Sequence, residues 1–255
     1  MWDEPPAALE NLAACVRGAL EAAVRTHARV VYACSLGAEA MVLTDIIFRH
    51  VPQIEVFSID TGRLHEETHA LLERIERRYD RRIKVMHPST PALESLTYAQ
   101  GVNGFYQSLA ARQECCRVRK LEPFRRAIAG YAAWVTGVRR EQSPGRARML
   151  PSEWDSSHGL YKLSPLLEWT HADVWQYIRV QNLPYNPLHD AHFPSIGCAP
   201  CTRAVLPGEH SRAGRWWWEQ SESRECGLHP SHPAHPRHGA HALAEPAPLA
   251  AALKA

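Results

Sequence analysis

The sequence alternates short apolar runs with amphipathic helical segments, and this alternation limits the possible folds more than any other feature. A first helix is predicted over residues 7–27, and strand-like runs follow at 30–34, 54–59, 83–86 and 133–136. Strands that alternate with helices in this way form right-handed βαβ units. The sequence therefore predicts an α/β fold with an open, parallel, twisted sheet and helices on both faces.

Helical spacing of apolar residues predicts the elements between and after the strands. Thr170 is expected to cap the last of these helices, because its hydroxyl can accept from a backbone amide of the first turn. The segment 143–159 is rich in Ser, Pro, Gly and charged residues, and we predict a loop there. The predicted helices span residues 38–49, 64–79, 114–128 and 171–180.

Composition excludes several classes of protein. The formal net charge is only +2, so the sequence lacks the excess of basic residues that general nucleic-acid binding requires. No run approaches the roughly 20 apolar residues of a membrane span, and the acidic, proline-containing N-terminus does not read as a secretory signal. We therefore expect a cytoplasmic protein with no membrane and no nucleic-acid partner.

The length of 255 residues fits one α/β domain with a substantial core. Turn residues dominate after residue 184, and His, Pro and Ala dominate from residue 230. We expect a single domain over residues 1–229, with a mobile C-terminal segment from about residue 203. The tail at 230–255 is predicted to be disordered, because its composition cannot build a core.

A turn of small residues follows the first predicted strand and precedes a helix. In parallel sheets, ligands bind beyond the carboxyl ends of the strands. Backbone amides of such a turn and the helix N-terminus attract anions, while Gly37 permits close backbone approach and Ser35 offers a hydroxyl. The turn alone is also compatible with an ordinary strand-to-helix connection, since no Gly-Lys-Ser/Thr sequence follows it.

Two more predicted strands end in polar turns. Thr61, Gly62 and Arg63 follow the second strand, and Gly137 and Arg139 follow the fourth. Each arginine alone could serve solubility. Because the carboxyl ends of parallel strands meet at one edge of a sheet, the three turns together predict one site for an anionic ligand.

Four of the seven cysteines form two close pairs, Cys115-Cys116 and Cys198-x-x-Cys201. Two such pairs can surround one metal centre, and all-cysteine ligation is usual for iron–sulfur clusters and common for structural zinc. Adjacent cysteines suit a cluster better than zinc, but zinc, no metal and a disulfide within the adjacent pair remain alternatives. Cys15 and Cys34 are expected to be small buried apolar residues.

Cys226 has no partner at a metal-ligand spacing and lies in a polar segment. Cations lower the pKa of a thiol and so favour the nucleophilic thiolate. Arg212, Arg215, Arg224 and His229 are close in sequence and could act in this way. An incidental exposed thiol remains the alternative.

Four motifs occur in an order that resembles a known family. They are Cys-Cys-Arg-Val-Arg-Lys at 115–120, Gly-Cys-Ala-Pro-Cys-Thr-Arg at 197–203, Gly-Arg-Trp-Trp-Trp-Glu at 214–219 and Glu-Cys-Gly-Leu-His at 225–229. The chain resembles the assimilatory adenylyl-sulfate reductases of the phosphoadenylyl-sulfate reductase family from about residue 30 to residue 229.

The resemblance implies an adenine nucleotide α-hydrolase-like sheet of the PP-loop type and reduction of adenylyl sulfate to sulfite and AMP in sulfate assimilation. It implies a Cys226 thiosulfonate intermediate that thioredoxin resolves, with His229 modulating the site, in an enzyme expected to be a homo-oligomer. It further implies a [4Fe-4S] cluster on Cys115, Cys116, Cys198 and Cys201, phosphosulfate contacts from Lys120, Arg212 and Arg215, and a nucleotide site formed by Ser35, Gly37, Thr61, Gly62, Arg63, Gly137 and Arg139.

One residue departs from the family pattern, and other functions stay open. The family often places an acid where this chain has Ala40, so the finer geometry of the phosphate loop is not fixed by the resemblance. The same chemistry could act on 3′-phosphoadenylyl sulfate. Two alternatives from other classes are a PP-loop enzyme of ATP-dependent tRNA thiolation and a non-enzymatic zinc-binding module.

Overall fold

The computed structural model describes residues 7–143 and 146–219. The strands in these ranges are β1 (Val30–Ala33), β2 (Glu55–Ile59), β3 (Lys84–Met86), β4 (Ala133–Val135), β5 (Ser152–Asp155) and β6 (Leu160–Leu163). The α-helices are α1 (Ala7–Thr26), α2 (Ala38–His50), α3 (Glu66–Tyr79), α4 (Thr90–Gln100), α5 (Leu109–Cys116), α6 (Glu122–Ile128) and α7 (His171–Val180). Short 3₁₀ turns occur at Gly104–Tyr106, Pro187–His189 and Ala199–Cys201, among others.

The six strands form one sheet in the order β3-β2-β1-β4-β6-β5. The first five run parallel, with Val31 opposite Glu55 on one side and Trp134 on the other. Only β5 runs antiparallel to its neighbour β6. The predicted parallel sheet is confirmed, with two further strands that the sequence did not indicate, the parallel strand β6 and the antiparallel edge strand β5.

Successive residues of the strands face opposite sides of the sheet, and each side is covered by helices. Val30 and Tyr32 pack in the larger core with apolar residues of α1, α2, α3 and α7. Val31 and Trp134 face the other side and pack against Phe124 and its neighbours in α6. The prediction of helices on both faces is therefore confirmed.

The structure corrects three predictions from the sequence. The predicted loop at 143–159 is wrong over β5, which is short and polar but pairs with β6, where Lys162 Nζ donates to Glu153 at 2.9 Å. The helix predicted over 114–128 begins earlier, at Leu109, and includes wider π-helical turns at Arg117–Leu121 between α5 and α6. Cys15 is only partly buried, not a core residue.

Helix α4 is an element that the sequence did not predict. Leu96 is its one buried residue, so the helix contributes little to the core. By contrast, the predicted cap of α7 is confirmed, since the Thr170 hydroxyl accepts from the amide of Asp173 at 3.1 Å. The Asp173 carboxylate accepts in return from the Thr170 amide at 2.8 Å.

A buried carboxylate connects three helices behind the sheet. The side chain of Asp45 in α2 is fully buried, and it accepts from Tyr79 in α3 at 2.6 Å and from Tyr177 in α7 at 2.8 Å. Arg49 adds an ion pair at 2.9 Å. Burial, then the Asp45 charge, raises the pKa of both phenols well above the usual value, so they remain donors.

None of the helices in the described ranges has the length and apolarity needed to traverse a lipid bilayer.

We predict that Asp45→Asn destabilises the protein by about 2 kcal/mol, because an amide group then faces two buried hydroxyl donors that need acceptors. Urea denaturation followed by circular dichroism measures the free energy of unfolding. Glu73→Gln is the matched control, since the Glu73–Arg77 ion pair is about 70% exposed on both sides and its loss should cost under about 0.5 kcal/mol. Equal effects of the two substitutions would show that the Asp45 contacts do not stabilise the fold.

Candidate active site

A cavity of about 480 Å³ lies where the chain leaves the carboxyl ends of the parallel strands. Its volume is in the range of small-molecule sites. The three strand-end turns and both cysteine pairs, far apart in sequence, come together around it. Of the residues predicted for the site, those lining it are Ser35, Gly37, Thr61, Arg63, Cys115, Cys116, Lys120, Gly137, Arg139, Cys198, Cys201, Arg212 and Arg215.

The turn between β1 and α2 is held in a special backbone conformation. Leu36 has a φ of 60°, which is uncommon for a residue other than glycine, and its side chain is buried. Gly37 is the N-cap of α2, and its amide donates to the Ser35 hydroxyl at 3.4 Å. The N-terminus of α2 therefore meets the cavity with its partial positive charge.

The turn after β2 is stabilised by its own side chains. The Asp60 carboxylate accepts from the Gly62 amide at 2.7 Å, and Gly62 adopts a φ of +70°, which favours glycine. The Arg63 guanidinium donates to Asn103 Oδ1 at 2.9 Å and to the carbonyl of Val102. Among the predicted site residues that the structure describes, Gly62 alone does not line the cavity itself.

The turn after β4 lies very close to α2. A Cβ atom at Gly137 would come within 3.1 Å of the Glu39 Cβ, so any other residue there would require one of the two elements to shift. Arg139 is buried, and it donates to Glu39 at 2.9 Å and to Glu141. Its charge is therefore offset by two carboxylates, and its predicted contact with substrate remains a prediction.

The two cysteine pairs meet in one apolar cluster beside the cavity. Cys115, Cys116 and Cys198 pack around buried Cys201, and Phe105 and Trp216 complete the cluster with Trp218. The first pair ends α5, and the second flanks the 3₁₀ turn at Ala199–Cys201. None of the six cysteines in the described part of the chain forms a disulfide, so the alternative of a disulfide between Cys115 and Cys116 is wrong.

Contacts join the cysteines to the turn after β2. The Thr61 hydroxyl lies 3.2 Å from Cys198 Sγ, and the Ala199 amide donates to the Arg63 carbonyl at 2.8 Å. Arg119 is buried and donates to the Thr61 carbonyl at 2.7 Å. A ligand held by this turn therefore lies directly against the cysteine cluster.

The chemistry of these sulfur atoms suits a group that carries positive charge. Burial, then the neighbouring thiols, raises the pKa of Cys201 to about 12, and burial raises the pKa of Cys115. Thiolates would therefore need compensating cations, which bound iron supplies while releasing protons. Across residues 7–143 and 146–219, no three His, Cys, Asp or Glu side chains form a ready site for a single metal ion. An all-cysteine donor set fits an iron–sulfur cluster.

Cationic side chains line the same cavity as the cysteines. Lys120, Arg212 and Arg215 all line it. Arg215 is buried, and its guanidinium stacks 4.6 Å from the ring centroid of Trp216. Its guanidinium occupies the space that a side chain at Gly197 would fill. This region can therefore hold an anionic group.

The predicted nucleophile Cys226 and the modulating His229 lie outside the described residues, as does the predicted tail at 230–255. Residues 203–219 of the predicted mobile segment are described and contact the body of the protein. Thr202 pairs with Arg215 in an antiparallel bridge, and the Trp216 amide donates to the Cys201 carbonyl at 3.1 Å. The mobility of the segment remains a prediction.

Several residues of the cavity were not predicted from the sequence. Arg119 could have been found, because it lies four residues after Cys115, one helical turn away. Glu39 and Phe105 gave no such signal, since neither spacing nor residue type marks them. His189 also lines the cavity, where burial lowers its pKa.

A buried ion pair holds the end of the described chain against α5. Arg112 donates from two nitrogens to the Glu219 carboxylate, each at 2.8 Å. The two side chains are only 1% and 6% exposed. The Arg112 guanidinium also stacks 4.8 Å from the ring centroid of Trp216. The position of Glu219 relative to the cysteines of α5 is thereby fixed.

Comparisons with known proteins agree with this geometry. Residues 29–204 match the family described as the phosphoadenosine phosphosulfate reductase domain. Adenosine 5′-phosphosulfate reductase of Allochromatium vinosum is 55% identical over 200 residues, which are 78% of each chain. The enzyme of the same name from Burkholderia cepacia is 49% identical over 203 residues, 80% of this chain and 81% of the relative.

Solved structures share the architecture. The phosphoadenylyl-sulfate reductase of Candida auris, in a phosphate complex, superposes with a TM-score of 0.64 at 25% identity, covering 74% of this chain and 90% of that one. The FMN adenylyltransferase of Candida glabrata, with FMN and an ATP analogue, superposes with a TM-score of 0.54 at 16% identity, covering 82% and 70%. The second likeness concerns the fold alone.

We predict that Glu219→Gln loosens the chain end at residues 214–219, because a buried charged hydrogen bond worth about 2 kcal/mol is lost. Amide hydrogen exchange of this segment, read by mass spectrometry, should become roughly thirtyfold faster. Glu209→Gln is the control, since Glu209 pairs with Arg203 where both side chains are about one-third exposed. If exchange at 214–219 is unchanged in Glu219→Gln, the ion pair does not anchor the segment.

Proposed function

This chain belongs to the phosphoadenosine phosphosulfate reductase domain family, and from that premise we propose that it is an oxidoreductase that reduces adenylyl sulfate to sulfite and AMP. The observation that carries the proposal is that one cavity joins the strand-end turns to four cysteines and to the cationic side chains of Lys120, Arg212 and Arg215. The relatives at 55% and 49% identity are both adenosine 5′-phosphosulfate reductases, which favours adenylyl sulfate over its 3′-phosphorylated form as the substrate. We place the reaction in sulfate assimilation.

The substrate is expected to lie across the carboxyl ends of the strands. Turns at Ser35–Gly37, Thr61–Arg63 and Gly137–Arg139 offer backbone groups and small residues to the nucleotide. Lys120, Arg212 and Arg215 border the region next to the cysteines, where the phosphosulfate would lie. Arginine suits this task, because its planar guanidinium matches phosphate and sulfate oxygens.

In the first step, the Cys226 thiolate attacks the sulfur of the sulfuryl group. The bond between that sulfur and the bridging oxygen of the phosphosulfate breaks, AMP leaves with the electron pair, and a thiosulfonate remains on Cys226. Covalent capture divides one difficult displacement into two easier ones. The cationic side chains reduce the repulsion between an anionic nucleophile and an anionic substrate. Cys226 is the seventh residue after Glu219, which allows a reach of about 25 Å from Glu219.

In the second step, a thiolate of reduced thioredoxin attacks the Cys226 sulfur and displaces sulfite. The second thioredoxin thiol then attacks the mixed disulfide, so Cys226 is restored and thioredoxin leaves oxidised. The two electrons that convert sulfate sulfur to sulfite sulfur therefore come from the thioredoxin dithiol. His229, three residues after Cys226, would tune that thiol.

Cys115, Cys116, Cys198 and Cys201 would hold a [4Fe-4S] cluster. When bound, the iron–sulfur core would offset the negative charge of the four thiolates and fix the position of Lys120, which lies four residues after Cys116. Thr61 and Arg119 would orient the nucleotide turn against these cysteines through the hydrogen bonds described above. We also propose a homo-oligomer in the cytoplasm, a compartment in which reduced cysteines persist.

We predict that the protein mixed with adenylyl sulfate alone acquires a sulfonate on Cys226. Intact-protein mass spectrometry should show a gain of one SO₃ group per chain, and peptide mapping should place it at residue 226. Cys226→Ser should form no adduct, and its sulfite release should fall by at least about a thousandfold, because the nucleophile is absent. Cys15→Ser is the control and should behave as wild type. Wild-type rates in Cys226→Ser would refute the mechanism.

We predict that anaerobically purified protein contains equal amounts of iron and acid-labile sulfide, near four of each per chain, and absorbs broadly near 400 nm. Cys198→Ser should lose most of both, while Cys34→Ser should retain them, since Cys34 lies at the end of β1, away from the pairs. Inductively coupled plasma mass spectrometry measures the metals. Zinc without inorganic sulfide in the wild type would contradict the cluster.

A further inference from the structure

A surface of exposed apolar side chains lies beside the cysteine cluster. We call it the aromatic surface, and it consists of Tyr98, Val102, Tyr106, Leu109 and Trp217, which are 96%, 66%, 43%, 42% and 38% exposed. Single exposed apolar residues are common on proteins, whereas a grouped set usually marks a binding surface. Four of the five residues come from the chain between the end of α4 and the start of α5.

The chain that forms most of the aromatic surface carries no charge. Residues 95–111 contain no Asp, Glu, Lys, Arg or His, although 22% of the whole chain is charged. A solvent-exposed helix end and loop would ordinarily carry such residues. Depletion of charge and enrichment of Tyr and Trp characterise the centres of protein–protein interfaces. This surface therefore has the composition of an interface centre.

Hydrogen bonds and ring contacts connect the aromatic surface to the active site. The Tyr106 hydroxyl donates to the Pro200 carbonyl at 2.7 Å, next to Cys201. Its ring lies 4.5 Å from that of Trp218, which lies 4.9 Å from that of Trp217. Arg63, which lines the cavity, donates to the Val102 carbonyl and to the Asn103 side chain.

We propose that the aromatic surface is the docking site for reduced thioredoxin. The inference rests on the proposed function, in which a thioredoxin thiolate must reach the Cys226 sulfur. Glu219 is fixed against α5 by Arg112, and Cys226 follows it by seven residues, so Cys226 stays within about 25 Å of that point. A protein reductant that attacks Cys226 must therefore approach within about 25 Å of Glu219, a range that includes α5 and the Trp217–Trp218 pair. We expect the face of the reductant that meets the aromatic surface to be uncharged as well, since complementary interfaces leave no charge unpaired.

The test is a double substitution, Tyr98→Lys with Val102→Lys, which places two charges on the aromatic surface without altering any residue assigned to substrate or cluster. Steady-state sulfite release is measured against the concentration of reduced thioredoxin. The KM for thioredoxin should rise at least about tenfold, since charges at an interface centre must be desolvated on binding. The rate of Cys226 adduct formation with adenylyl sulfate alone should stay at the wild-type value, as should turnover supported by dithiothreitol.

Leu150→Lys is the matched control, because Leu150 is 58% exposed and lies beside β5, in another part of the chain. It should leave the KM for thioredoxin unchanged. An unchanged KM in the double variant would overturn the proposal, as would an equal loss of thioredoxin-supported and dithiothreitol-supported turnover. A changed oligomeric state with an unchanged KM would assign the surface to a second copy of the chain instead. If wild-type protein forms no Cys226 adduct, the proposed function fails, whatever the variants show.

Discussion

The contact between the turn after β2 and the second cysteine pair determines the geometry of the site. The Thr61 hydroxyl meets Cys198 Sγ, and the Ala199 amide bonds to the Arg63 carbonyl. These two contacts join a strand end of the sheet to a segment more than 130 residues later in the chain. Without these contacts, nothing would hold the turn after β2 against the cysteine cluster. With them, a ligand at the strand ends must also meet the cysteines.

The distribution of charge indicates which end of the cavity holds the anion. Arg139, at one end, is enclosed by Glu39 and Glu141, so much of its charge is already offset. Arg215 lies near Cys201 and lowers its pKa against the larger effect of burial. The positive potential is therefore directed toward the cysteine end of the cavity. In the proposed reaction, the sulfuryl group binds at that end, and the nucleotide extends toward the turn between β1 and α2.

The sequence predicted strands β1 to β4 with their intervening helices and the three strand-end turns of the cavity, because buried strands and strand-end turns have strong local patterns. It did not predict β5, β6 or α4. The Ser152–Asp155 strand is polar and depends on its partner β6, and α4 buries only Leu96. Local sequence patterns also do not predict contacts between residues that are far apart in the chain. The contacts of Arg139 with two carboxylates and the Arg112–Glu219 ion pair are therefore seen only in the structure. The family resemblance supplied the roles of Cys226 and the cysteine pairs, which spacing alone left open.

The most direct test of the central claim separates the two products in time. Protein freed of reductant is mixed with adenylyl sulfate, and AMP and sulfite are quantified before and after reduced thioredoxin is added. A covalent route through the chain predicts about one AMP per chain and no sulfite in the first phase, followed by one sulfite per chain on adding thioredoxin. Release of AMP and sulfite together only after thioredoxin is added would contradict it, since the sulfuryl group would then never rest on the protein.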